Sequence, residues 1–287
     1  MSSSSIQALL QHHGKQLEEA LSLDAGSARI EVQSLLRTVL QVDRIWLLAH
    51  PEQMLNDEQH AGYMALFERR LKGEPIAYLL GEREFYGLNF KVTPATLIPR
   101  PETELLVELA LQRIPQSGPF RVLDLGTGSG AIALSIAHAR PNAEVVAVDA
   151  SQDALEVARE NAQRLNIGNV LLLHSDWFSA LRGERFDLIV SNPPYVAEND
   201  AHLMQGDLRF EPRSALASGA DGLDDIRRIC AQAKAHLDPG GWLLFEHGYD
   251  QAERVHALMQ QSGFTGLCSA RDISGIERVS GGSCLPI

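Results

Sequence analysis

From Arg121 onward, short β-prone apolar runs alternate with segments of helical pattern, and this alternation limits the possible folds more than any other feature of the chain. The runs cover residues 121–125, 144–148, 170–174, 186–190 and 241–246. Between them lie segments such as 152–165, where Leu155, Ala158, Ala162 and Leu165 mark one helix face. Strands separated by helices predict a parallel sheet covered on both sides. The expected fold class is α/β, Rossmann-like. In such sheets ligands bind outside the carboxyl ends of the strands.

Two of these strand ends suit one kind of ligand. The run Val122-Leu123-Asp124-Leu125 leads into Gly126-Thr127-Gly128-Ser129-Gly130, and then into the helix-prone stretch from Ala131 to Ala137. Glycines turn the backbone sharply and let it approach a ligand closely. Their spacing departs from the dinucleotide fingerprint G-x-G-x-x-G. Asp124 would repel a pyrophosphate but would accept hydrogen bonds from a cationic amino group. The run 144–148 ends at Asp149, where an acid accepts from ribose hydroxyls. Asp149 also reads as a helix cap, because Ser151 and Asp153 follow. An amino-acid tail, a ribose and no phosphate describe S-adenosylmethionine. The plainer reading of the glycines is a tight turn without a ligand.

A third strand end carries Asn192-Pro193-Pro194-Tyr195, after Phe186-Asp187-Leu188-Ile189-Val190-Ser191. The prolines have fixed φ and no N–H, so they present carbonyl acceptors on a stiff frame. Asn192 adds a planar amide and Tyr195 a flat face. Such a site suits a planar substrate bearing an NH2 group, either a carboxamide or a nucleobase amine.

Bulk properties separate those two substrates. The formal net charge is -12 and no basic run is present. Nucleic-acid affinity rests on lysine and arginine meeting phosphates, so a protein or small-molecule substrate is favoured. No apolar run approaches the roughly 20 residues of a membrane helix. The start, Met-Ser-Ser-Ser-Ser, lacks the basic and apolar regions of a secretory signal. Cys230, Cys268 and Cys284 are widely spaced and odd in number, which argues against a disulfide framework. A cytoplasmic protein is expected. The ten histidines form no H-E-x-x-H or Cys/His group, so no metal is assigned.

Residues 1–80 pattern as helices. One spans Ala28 to Leu40. Another starts at Asn56 with Gln59 as a capping box, presents Ala61, Met64, Ala65 and Leu71, and stops before Gly73 and Pro75. Residues 81–104 read as a connector, with β-prone pieces on either side of Gly87 forming a hairpin. The α/β domain occupies residues 105–287.

Several stretches together resemble one family. They are Gly73-Glu74-Pro75-Ile76-Ala77-Tyr78, Gly81-Glu82-Arg83-Glu84-Phe85-Tyr86-Gly87, Leu97-Ile98-Pro99-Arg100-Pro101-Glu102-Thr103-Glu104, the glycine turn, Val148-Asp149, Asp176-Trp177, Asn192-Pro193-Pro194-Tyr195 and Arg209-Phe210-Glu211-Pro212-Arg213. The chain resembles, over residues 28–279, the bacterial protein-(glutamine-N5) methyltransferases that act on peptide chain release factors. The resemblance implies a class I S-adenosylmethionine-dependent methyltransferase domain behind a small helical substrate-binding domain. It implies methyl transfer to the glutamine of the Gly-Gly-Gln loop of class I release factors. Donor contacts would come from Asp124, Gly126, Thr127, Gly128, Ser129, Gly130, Asp149, Asp176, Trp177 and Asn192. Asn192, Pro193 and Tyr195 would be catalytic, and Pro194 would complete the substrate site. Neither a membrane nor a nucleic acid is an expected partner. The alternative is an adenine-N6 nucleic-acid methyltransferase, whose extruded base would fit the same motif.

Some residues are expected to be structural. Trp177 also reads as a core aromatic. Arg209, Glu211 and Arg213 read as an ion network behind the acceptor loop, and Pro101 and Glu102 either as lying near the substrate loop or as ordering the connector. His247, after the last apolar run, reads as a satisfied structural histidine. The ending Gly281-Gly282-Ser283-Cys284-Leu285-Pro286-Ile287 departs from the family's usual one and leaves the last element open.

Overall fold

The computed structural model describes residues 5–284. The serine start through Ser4 and the final Leu285-Pro286-Ile287 lie outside the described residues. The chain divides into two units, Met1–Glu82 with Met204–Phe210, and Arg83–Leu203 with Glu211–Ile287. Residues 83–104 of the connector group with the second unit.

The first unit contains α1 (Ile6–Leu21), α2 (Ala25–Leu40), α3 (Arg44–Ala49), α4 (Asp57–Leu71) and α5 (Ile76–Leu80). Side-chain oxygens of Ser5, Asp24, Asp43 and Asn56 accept the otherwise unpaired N–H groups that open the first four. Asn56 and Gln59 close the expected capping box in both directions, at 2.8 and 3.1 Å. Half of the expected apolar face of α4 packs inward, with Met64 and Leu71 against the core. Ala61 and Ala65 are exposed, and the buried residues are Tyr63, Phe67 and Arg70. Two aromatics one turn apart bury far more apolar surface than two alanines. Arg70 is kept inside by Glu31, 2.7 Å away. His13 stacks on Phe67 at 4.1 Å between centroids and shares a 2.8 Å hydrogen bond with the Tyr63 hydroxyl. Burial pushes its pKa down to about 4, so the ring is neutral. The segment Met204–Phe210 is tied to this unit by Arg70–Asp207 at 3.4 Å and by Arg209 Nη2 donating to the Lys72 carbonyl at 2.6 Å.

The hairpin is β1 (Glu82–Phe85) and β2 (Leu88–Lys91). Its two turn residues, Tyr86 and Gly87, both have positive φ, as tight hairpin turns require. Then follow α6 (Glu104–Arg113), β3 (Arg121–Leu125), α7 (Ala131–Ala139), β4 (Glu144–Asp149), α8 (Gln152–Arg164), β5 (Val170–His174), β6 (Phe186–Ser191), α9 (Asp224–Ala233), β7 (Leu237–Glu246), α10 (Ala252–Gln261), β8 (Thr265–Arg271) and β9 (Glu277–Ser283). Among the described residues the sheet order is β5-β4-β3-β6-β7-β9-β8. Alternate residues of each strand feed two cores. Val122, Leu188 and Leu244 pack with Leu106 and Val107 of α6 and Leu134 of α7. Leu123, Ile189 and Phe245 pack with Ile226 and Ile229 of α9 and Val255 and Met259 of α10.

The sheet is not wholly parallel, as the alternation predicted. β9 runs antiparallel to both β7 and β8, and both strands of this last pair escape the apolar reading. The reason is steric. A Cβ on Gly281 would meet Leu244 Cδ2 at 2.3 Å, and one on Gly282 would meet Leu267 Cδ2 at 2.7 Å. Neighbouring side chains fill the space where β9 would carry its own, so this buried strand is spelled with glycines.

Candidate active site

Strand register, rather than loop conformation, brings the motifs together. Leu125 of β3 pairs with Ser191 of β6, so Gly126 and Asn192 are each the first residue beyond the ladder. Ser191 Oγ donates to the Leu125 carbonyl at 2.7 Å and fixes that register. On the other flank Leu125 pairs with Val148, whose carbonyl accepts from the N–H groups of Gly126 and Thr127 at 2.9 Å. The chain winds to one side of β3 and then returns to the other, so the β3–β6 junction is the topological switch point where ligands bind.

A cleft of about 560 Å³ opens there. Of the expected donor residues, Gly126, Thr127, Gly128, Ser129, Asp149, Asp176, Trp177 and Asn192 line it. Pro194 lines the acceptor side. Asp124, Gly130, Pro193 and Tyr195 are not on the wall. Gly130 has φ +84 and opens α7, so it shapes the turn.

On the donor side, Asp124 is fully buried in β3. Its Oδ2 accepts from the Thr127 hydroxyl at 2.7 Å, while its Oδ1 has no hydrogen-bond partner among the described residues. Burial pushes its pKa up to about 7, with the Thr127 bond pulling the other way. Asp149 accepts from Gly128 N–H and Ser151 N–H, each at 2.8 Å, and burial raises its pKa. The cap of α8 is Ser151, which leaves each Asp149 oxygen a further lone pair. Trp177 lies across the turn. A Cβ on Gly126 would touch its ring at 3.5 Å. Trp177 itself has φ +49, and its Nε1 donates to Asp225 at 3.2 Å. Asp176 is exposed and pairs with Arg228 at 2.8 Å.

On the acceptor side, Asn192 Nδ2 donates to Thr103 Oγ1 at 3.2 Å. The Tyr195 hydroxyl turns inward and donates to Glu246 at 3.1 Å, and its carbonyl accepts from Gln251 Nε2 at 2.9 Å. Thr103, Asp225, Arg228, Glu246 and Gln251 are the residues that sequence reasoning missed. They lie 48–89 positions from the motif residues they hold, at the start of α6, on α9, at the end of β7 and before α10, where only the tertiary fold connects them.

Arg209, Glu211 and Arg213 do not form one network. Arg209 bonds the Lys72 carbonyl and Arg213 the Glu198 carbonyl. Buried Glu211 pairs with Arg100 and accepts from Ile98 N–H at 3.0 Å, which anchors the segment leading to Thr103. His247 is satisfied on both sides, by the Gly248 carbonyl and the Ser280 hydroxyl, each at 2.9 Å. Among the described residues, no group of three or more His, Cys, Asp or Glu could hold a metal ion.

An unpaired buried carboxylate oxygen, a second acid with free lone pairs and an indole over a glycine turn fit a ligand with a cationic amino group, a ribose and a flat ring. With the sheet order, they define a class I methyltransferase, and residues 102–262 match the family model described as Methyltransferase small domain. Residues 8–81 match the PrmC N-terminal domain. The release factor glutamine methyltransferase of Bordetella pertussis is 53% identical over 263 residues, covering 91% of this chain and 97% of that one. That of Escherichia coli K12 is 50% identical over 266 residues, covering 92% and 96%. The chain belongs to the release factor glutamine methyltransferase family. Two solved structures share its fold. The hMettl16 catalytic domain has a TM-score of 0.56 at 15% identity, covering 76% of this chain and 81% of that one. A methyltransferase from Pyrococcus furiosus has a TM-score of 0.54 at 21% identity, covering 77% and 98%.

Proposed function

We propose that the protein transfers a methyl group from S-adenosylmethionine to the side-chain amide nitrogen, N5, of the glutamine in the Gly-Gly-Gln motif of class I peptide chain release factors, in the cytoplasm. The observation that carries this reading is the placement of Asn192 and the glycine turn on one cleft, each one residue past a paired strand end. The relatives' names supply the release factor. The charge of -12 favours a protein acceptor over a nucleic acid. Among the described residues, no helix is long and apolar enough to cross a membrane.

When bound, S-adenosylmethionine supplies an electrophilic methyl group on a sulfonium sulfur. Asp124 pairs with the donor's ammonium group, directly or through water. Asp149 accepts from the ribose hydroxyls, and Trp177 with Asp176 borders the adenine. The turn from Gly126 to Gly130 lets the backbone come close. On the acceptor side, Asn192 Oδ1 and the Pro193 carbonyl accept the two N–H groups of the glutamine amide. Pro194 bounds its plane, and Tyr195, turned inward to Glu246, backs the motif from behind.

An amide nitrogen is a weak nucleophile because its lone pair is shared with the carbonyl. Holding it in line with the methyl–sulfur bond, away from water, can contribute on the order of 7–11 kcal/mol. Nitrogen becomes more positive as the C–N bond forms, so the two hydrogen bonds to Asn192 and Pro193 strengthen in the transition state. A glutamate side chain is ionised and has no N–H to give, and a polar mismatch of that kind can reach about 10⁴–10⁵-fold. The N-terminal helical unit gives the release factor a second surface to dock on, a role supported by the match of residues 8–81.

The test is transfer of labelled methyl to a purified release factor. A factor with the Gly-Gly-Gln glutamine replaced by alanine and an adenine-containing DNA run beside it. Label mapped by peptide mass to that glutamine is the expected result. Label in DNA, or in the alanine variant, would overturn the proposal.

A further inference from the structure

The indole wall of the cleft has an unusual backbone. Trp177 has φ +49, a conformation that a bulky side chain rarely adopts and that persists only where the surroundings over-determine it. The neighbours supply that constraint. Trp177 Nε1 donates to Asp225 Oδ1 at 3.2 Å, and Asp176 just before it pairs with Arg228 at 2.8 Å. Asp225 and Arg228 sit in the first two turns of α9, and both line the cleft. Arg228 also approaches Asp225 Oδ1 at 3.6 Å.

Asp225 is itself held from behind. The Ser218 hydroxyl donates to its Oδ2 at 2.8 Å and accepts from its backbone N–H at 2.8 Å. These two bonds run in opposite directions between the same residues and pin the carboxylate to Ser218, which is 3% exposed.

Ser218 belongs to a strap, residues 216–222, laid along the acceptor loop. Val196 N–H donates to the Leu216 carbonyl and Ser218 N–H to the Val196 carbonyl, each at 2.9 Å, around a parallel bridge between Val196 and Ala217. Glu198 N–H donates to the Gly219 carbonyl at 2.9 Å. At Gly222 the strap comes so close that a Cβ would meet the Tyr195 carbonyl oxygen at 2.3 Å. Between Val196 and Asn192 stand two prolines of fixed φ, and Tyr195, bonded through both its hydroxyl and its carbonyl. A displacement of Val196 is therefore passed on to Asn192 rather than absorbed on the way.

We propose that Ser218 and Asp225 are positioning residues that join the indole wall of the donor site to the acceptor loop, so that a filled donor site tightens binding of the acceptor. This rests on the glutamine-methylation reading and deepens it. A flat ring stacked on Trp177 stills the indole and, through it, the Asp225 carboxylate and the strap. Ordering one end lowers the entropy cost of ordering the other. By linkage, the acceptor tightens the donor by the same factor.

The test is calorimetry with S-adenosylhomocysteine, which has no methyl group to transfer. Its Kd is measured with the enzyme alone and with the enzyme saturated by purified, unmethylated release factor. In the parent the two values should differ about fivefold or more. In Ser218→Ala and in Asp225→Asn their ratio should fall to near one. The asparagine has one acceptor oxygen where the carboxylate has two, so it cannot hold Trp177 and Ser218 as Asp225 does. A merely structural role would weaken both constants alike and keep their ratio. A parent ratio near one, or a parent-like ratio in both variants, would overturn the proposal. A second measurement needs no second ligand at the donor site. The indole N–H resonance of Trp177, assigned with Trp177→Phe, should move when release factor is added to the parent and should stay in place in Ser218→Ala. A resonance unmoved in the parent, or moved equally in the variant, would overturn the link. A parent enzyme that binds both ligands but fails to label the release factor from S-adenosylmethionine would instead defeat the reaction assigned above.

Discussion

The donor side of the cleft is built from a glycine turn and two acids, Asp124 buried in β3 behind the wall and Asp149 half-buried on it. On the acceptor side, a neutral amide is held on a proline frame, its NH2 group on Thr103, while the buried carboxyl of Glu246 accepts from Tyr195. In the proposed reaction the donor side recognises charge and responds to pH through buried Asp124. In the same proposal the acceptor side recognises the direction of hydrogen bonds. A cationic ligand can be bound by attraction from several angles. A planar neutral amide has to be met by acceptors at two fixed points.

Four changes would break or sharpen that contrast. The largest effect is expected from Asn192→Ala, which should lower kcat about 10²–10³-fold, the scale seen when one transition-state hydrogen-bonding group is lost. Calorimetry should find donor Kd little changed, and parent turnover would remove Asn192 from the acceptor role. Next, Asp124→Asn keeps the bond from Thr127 but removes the charge. Donor affinity should fall about 10–100-fold, the usual worth of a hydrogen bond to a charged group. The melting temperature should not fall, because the substitution removes a buried charge that burial already disfavours. A weaker donor Kd with a lower melting temperature would point to structural damage instead.

The third is a pH titration of donor binding. The Asp124 pKa is raised to about 7 in the free protein, and the donor's ammonium favours the ionised form. Affinity should therefore rise with pH up to about 7 and level off above it. Below that point it should drop by up to about tenfold per unit, since binding must expel a proton. Asp124→Asn should flatten the profile, and an unchanged slope would assign the titration elsewhere. The smallest effect is expected from Trp177→Phe. It keeps an aromatic wall and loses the Nε1–Asp225 bond, so donor affinity should weaken by about 0.5–1.5 kcal/mol. A loss as large as that of Asp124→Asn would show that indole orientation, rather than charge, governs the donor side.

The contiguous parts of both sides were legible in the sequence, because each is a short motif at the end of an apolar run. Gly126 to Gly130 and Asn192 to Tyr195 lie at the strand ends that their flanking residues predict. What supports them was not legible. Thr103 and Glu246 look ordinary until the packing of α6 and the end of β7 brings them to Asn192 and Tyr195. The inward turn of Tyr195 toward Glu246 was equally hidden, since a tyrosine beside a binding motif reads as a surface for substrate. In the fold, β9 was missed because Gly281 and Gly282 replace the apolar residues that mark a buried strand, and β8, only partly buried, carries no apolar run. The face of α4 was half read: Met64 and Leu71 pack inward, but exposed Ala61 and Ala65 were given the weight of Tyr63 and Phe67.

The Leu125–Ser191 pair acts as a ruler. Parallel strands advance by about 3.3 Å per residue, so a slip of one residue in β6 would displace Asn192 by that distance and turn its side chain to the opposite face of the sheet. Insertions between residues 130 and 185 would lengthen helices and loops but leave this pairing, and therefore the span between the donor turn and the acceptor amide, unchanged. In the proposed reaction, the gap that a methyl group crosses is set by this backbone ladder and the buried Ser191 hydroxyl, so surrounding helices and loops can change in length without retuning it.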